Sequence, residues 1–171
     1  MLPLPVRRWL AAGALVLAGG VAGAACSSPG GQAGPATGAA RPAAAPRDPR
    51  TKAALLRIAR ALNNDYQQNR DAAVYARWDG PSRAIISEAT YVQRHHQCPN
   101  TPNVPVDTWG VSNGPGGAWL VHYSIEGQQF TDWWYYVRGR FVFDLARSNP
   151  SAVALYRASP AQYAKDVGCG R

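Results

Sequence analysis

The sequence predicts an α+β domain in which N-terminal helices pack on a curved antiparallel sheet of four strands, followed by short C-terminal helices. Two observations support this class. Apolar residues recur at helical spacing between positions 51 and 69, and after position 103 they occur in four short runs separated by glycine. Short gaps that contain glycine are typical of antiparallel hairpins. We therefore expect helices first and one sheet after them.

Three helical patterns fill the first half of the domain. The first covers residues 51–69, and its apolar positions are Leu55, Ile58, Ala59, Leu62 and Tyr66. A shorter pattern at 73–78 stops at 79–81, because glycine followed by proline breaks a helix. Ser87 is a suitable N-cap for a third helix, which we expect to end at position 97.

The second half of the domain contains the predicted strands and two short helices. Alternation gives the second strand one apolar face, and the third strand, with aromatic residues at 133–136, is expected to be central. Asparagine or serine followed by proline predicts helices at 149–156 and 159–167, which would form a lid or a brace. The four predicted strands are 104–112, 118–126, 128–138 and 140–145.

The first 25 residues have the three parts of an export signal: Arg7 and Arg8, an apolar run, and small residues before Cys26. The alternative is an uncleaved membrane anchor, but the apolar run between positions 9 and 22 is shorter than the ~20 residues that a span needs. We therefore predict a signal peptide at 1–25.

Residues 21–26, Val-Ala-Gly-Ala-Ala-Cys, resemble the lipobox of bacterial lipoproteins, although Gly23 stands where that family usually has a branched apolar residue. The resemblance implies that Cys26 is diacylated on sulfur, as in palmitate-bearing lipoproteins, and becomes the new N-terminus. The chain would then be extracytoplasmic and anchored to the cell membrane by lipid. The small residues before Cys26 also satisfy the rule for ordinary secretory cleavage, so a secreted product is the alternative.

An Ala, Gly and Pro-rich stretch follows Cys26 and lacks the apolar residues that a core requires. We interpret residues 26–50 as the lipidated cysteine with a disordered tether, and residues 51–171 as the folded domain. The formal net charge is +8, and several basic residues at 41–57 would face anionic headgroups or wall polymers. No run of Lys or Arg resembles a nucleic-acid-binding arm, so nucleic acid is excluded as a partner.

The three cysteines leave one pair once Cys26 is assigned to lipid. In an oxidising compartment Cys98 and Cys169 are expected to form a disulfide bond. A metal site at His95 and His96 beside Cys98 is disfavoured, since neighbouring helical residues point about 100° apart and a fourth ligand is missing. We expect neither a metal nor a cofactor.

Residues 75–83 and 86–92, Tyr-Ala-Arg-Trp-Asp-Gly-Pro-Ser-Arg and Ile-Ser-Glu-Ala-Thr-Tyr-Val, resemble the helical half of nuclear-transport-factor-2-like (cystatin-like) domains. The resemblance covers about residues 51–145 and implies a cone in which the sheet wraps the helices. Some members of that family use an acid or base in the cone, and His122 and Asp132 are the candidates in this chain. The residues expected to line such a pocket are Trp119, Tyr123, Trp134 and Tyr136.

The function expected from these features is a non-catalytic, lipid-anchored envelope lipoprotein that binds a cell-wall polymer, a lipid or an envelope protein. The sequence contains no linear motif for a serine nucleophile, a zinc protease or a phosphate loop. The alternative is a small hydrolase, isomerase or cyclase that uses a pocket acid or base. A third possibility is a structural spacer, a role that similar domains have in penicillin-binding proteins.

Overall fold

The structure is a computed structural model and describes residues 46–169. The predicted signal peptide, Cys26 and most of the predicted tether lie outside the described residues. The helices and strands, in chain order, are α1 (Lys52–Gln67), α2 (Asp71–Tyr75), α3 (Gly80–Arg83), α4 (Glu88–Gln97), β1 (Val106–Asn113), β2 (Trp119–Ile125), β3 (Gln128–Val137), β4 (Arg140–Asp144), α5 (Leu145–Ser148), α6 (Pro150–Arg157) and α7 (Pro160–Val167). A short 3-10 turn, Pro115–Gly117, joins β1 to β2.

The strands form one open antiparallel sheet in the order β1-β2-β3-β4, so the predicted α+β class and the four strands are confirmed. β3 is an interior strand, as its aromatic residues indicated. Within residues 46–169, no helix has both the length and the apolar character needed to cross a membrane.

Side-chain caps fix where the helices begin. Thr51 Oγ1 accepts a hydrogen bond from the Ala54 amide at 3.1 Å, and Ser87 Oγ accepts one from the Thr90 amide at 3.2 Å. Such a cap satisfies one of the amides that the first turn leaves without a partner and typically contributes about 1 kcal/mol. Asn149 and Ser159 cap α6 and α7 in the same way.

The structure adds two short helices that the sequence analysis did not include. The second helical pattern, predicted at 73–78, ends earlier: α2 stops at Tyr75, before the breaker at 79–81, and Trp78 forms a β-bridge with Phe143. The breaker instead begins α3, where the Asp79 carboxylate accepts from the Ser82 amide at 2.8 Å. Proline is tolerated there because the first turn needs no amide from it. At the end of β4, Asp144 accepts from the Arg147 amide at 3.0 Å and begins α5.

The sheet has an inner face, which is turned toward the helices, and an outer face. Register pairs Trp119 with Trp134 and Val121 with Asp132, so these four side chains share the inner face. A bulge between Thr108 and Gly110 in β1 contains an extra residue, Trp109. The outer face carries the alternate residues, among them Leu120, His122, Trp133 and Tyr135.

The core lies between the helices and the inner face. Leu55, Tyr91, Trp134 and Phe141 are fully buried there. Trp78 packs edge-on against Tyr91 with ring centroids 4.7 Å apart. Full burial of a side chain of this size contributes about 1.5–3 kcal/mol, so these aromatic residues supply much of the stability of the domain.

The C-terminal helices are held on α4 and act as a brace. The guanidinium of Arg94, itself only 6% exposed, donates to the carbonyl oxygens of Leu155, Tyr156 and Ala158 at 3.1, 3.2 and 2.7 Å. Cys98, at the end of α4, is paired with Cys169 after α7, and their Cα atoms are 5.7 Å apart. That spacing is within the disulfide range, so the predicted cysteines form a disulfide-capable pair.

Asp48 attaches the start of the folded unit to the sheet. Its carboxylate accepts hydrogen bonds from the Phe141 amide at 2.9 Å and from Arg77 Nη1 at 2.8 Å. Its amide donates to the Gly139 carbonyl at 2.8 Å, and its carbonyl accepts from the Tyr136 hydroxyl at 2.6 Å. The structure therefore places Asp48, which the sequence analysis assigned to the tether, within the folded unit.

Candidate functional site

A buried carboxyl group lies on the inner face of the sheet. Asp132 is only 6% exposed, and the Tyr123 hydroxyl donates a hydrogen bond to its Oδ1 at 3.3 Å. Burial raises the pKa of Asp132 to about 7, and the hydrogen bond from Tyr123 opposes part of that rise. Burial and the neighbouring carboxylate also raise the pKa of Tyr123. Of the two groups, only the Asp132 carboxyl therefore has a pKa near neutral pH.

Strand alternation puts Asp132 inside. It lies between Phe130 and Trp134 at the two-residue period of β3, so its side chain points to the same face as theirs. Tyr123 occupies the equivalent face of β2, and its ring stacks on Phe130 with centroids 5.4 Å apart. One polar carboxyl is therefore surrounded by aromatic residues, which is the environment that shifts a carboxyl pKa upward.

The other predicted pocket residues share the inner face but are occupied by packing. Trp134 is fully buried and meets Phe143 edge-on at 5.5 Å. Trp119 is partly buried against Phe141, with ring centroids 5.4 Å apart. The hydroxyl of Tyr136 is committed to Asp48. These rings form the wall of the core beside Asp132.

His122 lies on the outer face, opposite Asp132. Its Nε2 is hydrogen-bonded with Ser112 Oγ at 2.8 Å and its Nδ1 with Thr131 Oγ1 at 3.2 Å. The ring of Trp109 stacks on it at 20° with centroids 5.2 Å apart, and Trp109 is 54% exposed. The structure therefore separates the two acid or base candidates, because they project from opposite faces of one sheet.

The outer face continues from His122 as a partly exposed aromatic surface. The Arg147 guanidinium lies 5.1 Å from the centroid of the Trp133 ring and donates to the Tyr135 hydroxyl at 2.8 Å. We call Trp109, His122, Trp133 and Tyr135 the outer aromatic face. It presents flat apolar rings next to a positive charge, an arrangement suited to a ligand with both apolar and polar surfaces.

Two surface depressions lie away from Asp132 and His122. One has a volume of about 470 Å³ and is bordered by α1, α2 and Asp48. The other has a volume of about 360 Å³ and lies between α1 and the segment that leads into β1. Neither is lined by Trp119, Tyr123, Trp134 or Tyr136.

The sequence analysis missed a buried polar group in the helical half. His95 Nδ1 lies 3.5 Å from Asp71 Oδ1, and its Nε2 is hydrogen-bonded with the Tyr156 hydroxyl at 2.9 Å. Burial lowers the pKa of His95 to about 4 and raises the pKa of Asp71, so the imidazole is neutral at pH 7. Tyr91 and His95 are four residues apart on α4 and share a face of that helix, but no local signal in the sequence predicts the partner from α6.

This buried group is a packing element. Asp71, His95 and Tyr156 are each less than a tenth exposed and lie between α2, α4 and α6. Only the His95–Tyr156 contact is a hydrogen bond, and among the described residues Asp71 Oδ1 and His95 Nδ1 have no hydrogen-bond partner. The neighbouring His96 is exposed on the other side of α4. Within residues 46–169, no three His, Cys, Asp or Glu side chains are grouped so that they could hold a metal ion.

These features define an α+β protein with an open four-stranded sheet, a buried acid on one face and exposed aromatic rings on the other. The comparisons with known families, curated proteins and solved structures gave no match for this chain.

Proposed function

We propose that this protein is a non-catalytic binding module of the cell envelope, anchored to the membrane by lipid on Cys26, with its helices and sheet arranged as a nuclear-transport-factor-2-like cone. The anchor is supported by the signal-like first 25 residues and by the small residues before Cys26. It is also supported by the number of cysteines, because a Cys98–Cys169 pair leaves Cys26 as the third. The helix-then-sheet order supports the cone.

The observation that carries the binding function is the exposed Trp109 ring on the outer aromatic face. Trp109 is 54% exposed, and contact of an apolar ring with water is unfavourable, so a ligand that covers the ring lowers the free energy. The His122 ring stacks on the indole, and His122 is itself fixed by hydrogen bonds with Ser112 and Thr131. Little side-chain entropy is then lost when a ligand stacks on the indole, which favours binding.

The anchor is tested by fractionation. We expect a Cys26→Ala variant, expressed in a bacterium that processes lipoproteins, to move from the membrane fraction to the soluble extracytoplasmic fraction, because the acyl chains are lost. Ser28→Ala is the matched control and should stay in the membrane. Intact mass should show a mature chain that begins at Cys26 and carries diacylglycerol. An unprocessed chain in the cytosol with all thiols free would contradict the proposal.

The binding surface is tested by retention on isolated envelope fragments. To remove the anchor's contribution, the Cys26→Ala background is used throughout. We expect Trp109→Ala to weaken retention about tenfold or more, as the loss of a stacked aromatic anchor typically does. Gln93→Ala is the control, since it removes an exposed side chain on α4, outside the outer aromatic face, and should change nothing. Equal retention of all variants would contradict the proposal.

A small enzyme that uses Asp132 is the second candidate. The observation that favours it is the buried carboxyl with a pKa of about 7, which suits a general acid or base at neutral pH. It ranks second because Asp132 lines neither of the two depressions described above, so a substrate would first have to separate the surrounding aromatic residues.

A further inference from the structure

The depression of about 360 Å³ beside β1, which we call the amide groove, has polar side chains from one helix as its floor. Arg60, Asn63, Asn64 and Gln67 follow the spacing i, i+3, i+4 and i+7 and therefore share one face of α1. The opposite wall is formed by residues 103–106 and Thr108. The volume falls within the range of about 300–1,000 Å³ that is usual for small-ligand sites.

Two of these side chains are fixed in place by Thr108. Arg60 Nε and Nη2 donate to its carbonyl oxygen at 3.1 and 2.7 Å, and Asn63 Nδ2 donates to its Oγ1 at 3.1 Å. Thr108 is 3% exposed, whereas Arg60 is exposed and Asn63 is half-buried, so these contacts are partly open to water. They fix the Arg60 and Asn63 side chains, which reduces the side-chain entropy that a ligand would remove at this part of the groove.

Several polar atoms of the groove remain available. Among the described residues, Arg60 Nη1 and the Gln67 side chain make no hydrogen bond within the protein. Asn64 accepts from Gln68 Nε2 at 2.9 Å through its Oδ1, which leaves its Nδ2 donor available. Asn63 keeps its Oδ1 acceptor. The groove thus offers both donors and acceptors.

The chemistry of the lining selects among ligands. A sugar hydroxyl both donates and accepts, and so matches side-chain amides. The Arg60 guanidinium would attract a phosphate or carboxylate, but such a group offers acceptors only and could not donate to the Asn63 oxygen. An apolar ligand would bury these amides without partners. Trp109 follows Thr108 directly, and its exposed ring stacks on His122 on the other face of β1, which is an edge strand.

The geometry points to the amide groove as the binding site for a residue of a neutral, hydroxyl-rich saccharide, an inference that rests on the proposed binding function. The groove holds the hydroxyl groups through Asn64, Gln67 and Arg60. Trp109 stacks on the apolar face of a neighbouring sugar.

The test is calorimetric titration of the full-length chain in a detergent without a sugar headgroup. The neutral probes are triacetylchitotriose and maltotriose, and trigalacturonic acid is the anionic probe of the same length. The variant Asn64→Ala/Gln67→Ala removes both amides at partly exposed helical positions where alanine favours the fold. Gln93→Ala, an exposed amide on α4, is the matched control. Circular dichroism checks that each variant is folded.

We expect at least one neutral trisaccharide to bind, the double variant to weaken it about tenfold, and Gln93→Ala to leave it unchanged. Unchanged affinity in the double variant, tighter binding of trigalacturonic acid, or no binding of either neutral probe at 10 mM would overturn the inference. If one of these results is obtained while Trp109→Ala still lowers retention on envelope fragments, the groove inference fails and the proposed function stands. If saccharide binds in the groove but the Cys26 and Trp109 variants behave as wild type in the envelope assays, the proposed function fails instead.

Discussion

Replacing Asp132 with asparagine is expected to stabilise the protein at pH 8 by about 4 kcal/mol. The pKa of Asp132 rises from 3.8 to about 7 on folding, and each pKa unit corresponds to about 1.4 kcal/mol. Between these values the folded state keeps the proton and the unfolded state does not. The stability linked to this proton is therefore complete below about pH 4 and is lost as the pH rises through about 7. Asparagine is neutral throughout and can still accept from the Tyr123 hydroxyl.

Urea unfolding of both proteins at pH 4, 6 and 8 measures the effect. The difference between Asp132→Asn and wild type should be near zero at pH 4, should grow by pH 6 and should be largest at pH 8. The two proteins are compared at each pH because His95, whose pKa falls to about 4, makes the free energy of unfolding depend on pH in the opposite direction. Its contribution is present above about pH 6.5 and is lost as the pH falls through about 4. Asp107→Asn, an exposed carboxylate on β1, is the control.

A difference that does not change with pH, or a loss of stability at pH 8, would contradict this account of Asp132. A gain in stability at pH 8 would also bear on function. A buried acid that costs stability at neutral pH is the kind of residue that proteins retain for a task, so Asp132→Asn is also the variant with which to test any catalytic activity.

Removing the cysteine pair is expected to lower the free energy of unfolding by about 4 kcal/mol. Cys98 and Cys169 are 71 residues apart, and a cross-link over that separation removes much of the conformational entropy of the unfolded chain. Chemical unfolding of Cys98→Ser/Cys169→Ser against wild type gives the size of the loss. Wild type in reducing agent should show a similar loss, and Cys26→Ser should show none.

Unfolding of the double cysteine variant should begin in α7, because Arg94 still holds the end of α6. Lys165 is exposed on α7, so cleavage there by trypsin should become faster before the rest of the domain is attacked. If reduced and oxidised wild type unfold at the same urea concentration, the two cysteines do not form the cross-link.

The sequence predicted what depends on neighbours along the chain. Thr51 and Ser87 are local caps, and the glycines at 127 and 139 allow the left-handed turns, with φ of 80° and 84°, that connect β2, β3 and β4. These features need only a few consecutive residues, and the structure shows each of them. Asp132 was a candidate acid only through the family resemblance, and the register of β3 in the structure places it on the inner face.

What the sequence could not predict depends on contacts between distant segments. Three hydrogen-bonded contacts join residues that are far apart in the chain. Arg94 donates to carbonyls of α6, His95 is hydrogen-bonded with Tyr156, and Asp48 accepts from the Phe141 amide of β4. In the sequence alone, the polar floor of the amide groove is an ordinary solvated face of α1, and only the structure shows that Thr108 forms the opposite wall.

The attachment of Asp48 has a mechanical consequence. Any pull that arrives through the preceding chain is transmitted first to the hydrogen bonds at Gly139 and Phe141, at the β3–β4 turn, and to the Arg77 guanidinium. These contacts shield the cap of α1 from tension. A tethered domain under tension would therefore first lose these hydrogen bonds at the edge of the sheet, while the helices that bury its core remained folded.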